Sequence, residues 1–154
     1  MTTRNRAAAA ISAGWIVFVA PVMAAIAASH ETVVPVPRHH REPVDLTCGP
    51  VILRSVAIDS PPSDRELSKA RRDPDDTSRL HWKFFVGNAG RKKWDVRITV
   101  TVLSADDRVL AEDSRKDSIG SRTSRDHISV WTRIRTTDYA SADHLRVSVS
   151  CEKD

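Results

Sequence analysis

Two cysteines, Cys48 and Cys151, are the only thiols in the chain. Neither belongs to a Cys-x-x-Cys motif or has a nearby base that would favour the thiolate. In an exported chain such a pair is most simply a structural disulfide. Linking positions about 100 residues apart stabilises by roughly 4 to 5 kcal/mol in the chain-entropy model. Serine, histidine and aspartate are all present, yet Gly-x-Ser-x-Gly, His-Glu-x-x-His and a phosphate-cradling glycine loop are not. The chain is therefore read as non-catalytic. The least supported alternative is a secreted enzyme with dispersed site residues, built on His127 or His144 beside a carboxylate. His39 and His40, with His30 and Glu42 nearby, carry groups that bind a soft divalent metal. Nothing in that stretch fixes a ligand geometry, so it is read as solvated linker, and no metal or cofactor is assigned.

A third group consists of aromatic, basic and imidazole side chains at alternating positions. In "LHWKFFVGN", His81, Lys83 and Phe85 lie opposite Leu80, Trp82, Phe84 and Val86. In "HISVWTRIR", His127, Ser129, Trp131, Arg133 and Arg135 lie opposite Ile128, Val130 and Ile134. Aromatic residues with arginine are enriched at interaction surfaces. If the two segments neighbour each other in one sheet, His81, Lys83, Phe85, His127, Trp131 and Arg133 form one candidate binding patch. A loop folded over Trp131, or a register off by one, would bury it instead.

The elements that must position these groups are strands. "WDVRITVTVL" sets Trp94, Val96, Ile98, Val100 and Val102 on one face and Asp95, Arg97, Thr99 and Thr101 on the other. Such alternation with β-branched residues excludes a helical stripe. The last segment groups Leu145, Val147, Val149 and Cys151 against His144, Arg146, Ser148 and Ser150, so Cys151 is expected on the core side. Val51 to Ile58 and a short Val109 to Glu112 complete six strands, with a seventh if the segment around Ile119 pairs. Asn88-Ala89-Gly90-Arg91 is expected to close a tight hairpin. Ser63 with Glu66 three residues on forms a capping box, opening a short helix through about Arg72. This pattern predicts an all-β fold: an immunoglobulin-like antiparallel sandwich, or alternatively a partly open barrel. Its core comprises Trp82, Phe84, Val96, Ile98, Val100, Ile128, Val130, Ile134, Leu145, Val147 and Val149.

Upstream, Arg4 and Arg6 precede an uncharged run from Ala7 to Ser29 with Ala-x-Ala and Ala-x-Ser sites, the layout of a secretory signal peptide. The same run is long enough to cross a hydrocarbon core of roughly 30 Å, so an uncleaved anchor is the alternative. Residues 30 to 46, with Pro35, Pro37 and Pro43, read as an extended linker, or as a stalk if the anchor is kept. The domain then runs from 47 to 154. After Ser29 stand 22 basic and 20 acidic residues, so the pI of 9.4 overstates how basic a mature chain is. On net charge alone nucleic acid is not expected as a partner, because a near-neutral, sign-interspersed chain lacks the concentrated positive field such binding usually needs. The partner expected is a protein or envelope component, and a membrane only if the N-terminal run stays in place.

Residues 84 to 113 resemble the central hairpin of small exported bacterial sandwich domains of the FxLYD type. The matching residues are Val86, Asn88 and Gly90, the strand Val96 to Leu103, Asp106 or Asp107, and Val109. Leu103-Ser104-Ala105 stands where that signature has Leu-Tyr-Asp. The resemblance implies an extracytoplasmic accessory or interaction module, secreted, periplasmic or membrane-anchored, with no catalytic residues to carry over.

Overall fold

A computed structural model of the chain describes residues 30 to 153. The hydrophobic run read as signal peptide or anchor lies outside them. In chain order the elements are β1 (His30–Pro35), β2 (Glu42–Cys48), β3 (Val51–Ile58), α1 (Asp64–Ala70), β4 (Thr77–Asn88), β5 (Trp94–Ser104), β6 (Val109–Ile119), β7 (Thr123–Arg135), α2 (Thr136–Ser141) and β8 (Ala142–Lys153). The strands form two four-stranded antiparallel sheets, ordered β1-β8-β5-β6 and β2-β3-β4-β7. The expected sandwich is what the chain builds: immunoglobulin-like in its two layers, with eight strands and its own strand order.

The alternation does what its period requires. Leu80, Trp82, Phe84 and Val86 of β4 and Ile128, Val130 and Ile134 of β7 face Val96, Ile98, Val100 and Val102 of β5 and Leu145, Val147 and Val149 of β8, all of them buried. Trp82 donates its indole N–H to Thr132 Oγ1 at 2.9 Å, so the one polar atom of the largest core side chain is satisfied. Truncating a buried side chain of that size costs about 3–5 kcal/mol.

Four expectations are corrected. Residues 30 to 46 are not a linker: β1 and β2 are edge strands, one on each sheet. An edge strand leaves one side unpaired, so it tolerates proline's missing N–H. Val34, Val36 and Val44 are buried, and a bulge between Pro43 and Leu46 carries Asp45 at φ 48°. Second, Asn88-Ala89-Gly90-Arg91 closes no hairpin, because β4 and β5 belong to different sheets. Asn88 is instead buried at the crossing, where its amide donates to the carbonyls of Lys92 and Gly120 at 2.9 Å while Oδ1 accepts from Gly90 N–H. Third, β6 extends to Ile119 as one strand. Its residues Glu112 to Ser118 are exposed on both faces, so no apolar alternation announces it. Fourth, the capping box at Ser63 and Glu66 forms as expected, but its helix ends at Ala70, and a second short helix, α2, links β7 to β8.

Candidate binding face of the β2-β3-β4-β7 sheet

Strands β4 and β7 pair antiparallel with His81 opposite Trp131, Lys83 opposite Ser129, Phe85 opposite His127 and Arg79 opposite Arg133. Since the alternate residues of both strands are buried in the core, all of these point outward. Directly opposed side chains on one face have Cβ atoms about 4.5–5.5 Å apart, close enough to interact. The structure thus brings His81, Lys83, Phe85, His127, Trp131 and Arg133 together on one sheet face.

The face has two aromatic clusters. At one end the imidazole of His81 stacks on the indole of Trp131, with ring centroids 4.1 Å apart and planes 4° from parallel. The guanidinium carbon of Arg79 lies 4.4 Å from the centre of the same indole. His81 Nδ1 is hydrogen-bonded to Asp59 Oδ2 at 3.1 Å, while its buried Nε2 finds no partner among the described residues. Trp131 nevertheless stays 41% exposed, so none of the described loops covers it. At the other end the guanidinium of Arg41 sits 3.6 Å from the centre of the Phe85 ring. Arg41, Arg54, Ser55, Phe85, Asp126 and His127 line an open cleft of about 800 Å³. Lys83, half-buried, stands between the clusters.

Arg41, Arg54 and Arg79 complete this face and were not among the residues read from the sequence. Arg41 fell within the supposed linker, and Arg54 within the least regular strand. Arg79 shares the parity of His81 and was legible, had the strand been begun at Thr77 rather than Leu80.

The remaining candidates sit elsewhere. Cys48 and Cys151 are disulfide-bonded, with Cα atoms 5.8 Å apart across 103 residues. The bond joins β2 of one sheet to β8 of the other; Cys48 is buried, but Cys151 is only partly so. It points to an oxidising, extracytoplasmic environment. No described helix is long and apolar enough to cross a membrane. His40 pairs with Glu42 at 2.7 Å from an exposed position, and among the described residues no three His, Cys, Asp or Glu side chains converge as a metal site would require. His144 has both ring nitrogens engaged, Nε2 with Asp107 at 2.8 Å and Nδ1 with Asp143 at 3.2 Å. Asp143 foremost, and then Asp107, hold its pKa above the ordinary histidine value.

No family model matches the chain, and no curated protein matches it. Among solved structures, 40% of the chain is similar to 6% of a β-glucuronidase from glycoside hydrolase family 2, at 13% identity and a TM-score of 0.36. A second likeness pairs 77% of the chain with 24% of an arabinose-bound α-L-arabinofuranosidase, at 14% identity and a TM-score of 0.19. The chain spans a quarter or less of either protein's length, and at those scores neither likeness bears on fold or activity.

Proposed function

We propose that the chain is a non-catalytic interaction module exported to the cell envelope or extracellular space, and that the outer face of the β2-β3-β4-β7 sheet is its binding surface. The observation that supports this most is Trp131: a large aromatic side chain held rigid by a stacked imidazole and a guanidinium, and left open to solvent. Rigid, partly exposed aromatics with arginine neighbours are the side chains that dominate binding energy at interfaces. The inter-sheet disulfide supports export, and it fixes the platform on which the face is carried.

A photo-reactive residue introduced at Ser129, between the two clusters, tests this in cells producing the full chain. A cross-linked adduct is expected from position 129 and not from Ser148 on the opposite sheet, and Trp131→Ala should abolish it. Equal adducts from both positions, or an adduct indifferent to Trp131→Ala, would refute the assignment of the face.

A further inference from the structure

Most of the charged groups on this face can only donate. Arg41, Arg54, Arg79, Lys83 and Arg133 carry N–H donors and no acceptor lone pair. Among the described residues none of the five has a carboxylate partner within ion-pair distance. Two carboxylates border the face: Asp59 accepts from His81 through Oδ2, and Asp126 accepts from the backbone N–H of His127 through Oδ1. Strand β4 is paired on both sides, to β3 and β7, so its backbone offers little to a ligand lying across the face. A polypeptide crossing it would bring one backbone N–H per residue and find few acceptors. A chain of uronate sugars brings the reverse: carboxylates and ring oxygens that only accept, hydroxyls that both donate and accept, and apolar C–H faces suited to aromatic side chains. A guanidinium fork also matches a carboxylate in two-point geometry. The Phe85 end is concave, which suits a linear chain better than a flat lipid surface.

Resting on the reading of this face as the binding surface, we propose that its ligand is an acidic polysaccharide, a uronate-bearing chain running from the Trp131 cluster to the Phe85 cluster. His81 and Phe85 are four residues apart on β4, which separates the clusters by roughly 13 Å. A polymer engages both at once, whereas a single uronate engages one and forgoes the gain in effective concentration.

The test uses the full chain in affinity electrophoresis and calorimetry against four probes: polygalacturonate, its methyl ester, poly-L-glutamate and phosphatidylglycerol vesicles. Polygalacturonate should be bound, galacturonic acid monomer far more weakly, and the methyl ester not at all. Raising salt should weaken the complex, as it does for exposed charges. Trp131→Ala should weaken it about tenfold or more. Arg79→Gln and Lys83→Gln, which alter exposed or half-exposed side chains only, should each weaken it too, with unchanged melting curves as the control for folding. Tighter Trp131-dependent binding to poly-L-glutamate or to the vesicles would overturn the ligand class and leave the binding face standing. Retention of the methyl ester as strong as that of the acid, polygalacturonate binding indifferent to all three substitutions, or no binding to any probe would also overturn the proposal. In the last case, cross-linking from position 129 decides separately whether the face survives.

Discussion

On the outer face of the β1-β8-β5-β6 sheet, Lys116 lies 3.1 Å from Asp95 and 3.5 Å from Glu152, Arg146 lies 3.6 Å from Glu31, and Thr101 donates to Glu112 at 2.7 Å. On the outer face of the β2-β3-β4-β7 sheet, Arg79 rests on Trp131 and Arg41 on Phe85. Both faces are strand-built and rich in cations. The first pairs Lys116 and Arg146 with carboxylates of its own, and Ser118 foremost, with Lys116, holds the carboxyl of Asp95 below its usual range. Exposed pairs of this kind contribute little to stability, since solvent screens them and ordering long side chains opposes them. The second parks two of its guanidinium groups, those of Arg41 and Arg79, on rings. A cation on an exposed ring gains about 0.5–1 kcal/mol and keeps N–H donors available, because the ring consumes none of them. The contrast indicates that a charged surface becomes a candidate site when its charges are positioned but not neutralised.

That contrast can be broken at several scales. The largest effect is expected from Cys48→Ser with Cys151→Ser, which releases the covalent tie between the sheets: a loss of about 2–5 kcal/mol in urea unfolding. A loss near zero would mean the faces are held in place by packing alone. A smaller effect is expected from Trp131→Ala, whose indole is 41% exposed: less than about 1 kcal/mol of stability. If that substitution unfolds the domain, Trp131 is a packing residue and the two faces are alike. The smallest effect concerns His144, at the end of the neutralised face. Its folded-state pKa is raised, so the imidazolium's contribution is present in full below the unfolded value of 6.5 and fades as pH climbs through the folded value. The urea midpoint should therefore decline as pH is raised above 6.5, and His144→Gln should flatten part of that decline. An unchanged slope would show that the Asp107 and Asp143 contacts are not formed in solution.

Much of this architecture was legible because four strands, β4, β5, β7 and β8, bury one face each and so alternate cleanly. The edges were not. β1 and β2 carry prolines that an edge strand tolerates and a linker also shows, so composition alone could not separate the two. β6 writes no code over Glu112 to Ser118 because neither of its faces is covered there. The crossing at Asn88 imitated a hairpin because Asn and Gly serve a buried amide network as readily as a tight turn. On the candidate face, parity alone placed His81, Lys83, Phe85, His127, Trp131 and Arg133 together, since side chains two apart on a strand share a side. Whether those strands were neighbours is a long-range pairing that no local pattern encodes.

The central claim is that one outer face, and not the other, meets something outside the molecule. Hydroxyl-radical footprinting of the full chain, in its native surroundings and after purification, measures this most directly. The account predicts protection confined to Trp131, Phe85 and His127, with Val33 and His144 on the opposite sheet equally reactive in both states. Protection centred on Val33 and His144, or none at Trp131, would contradict it.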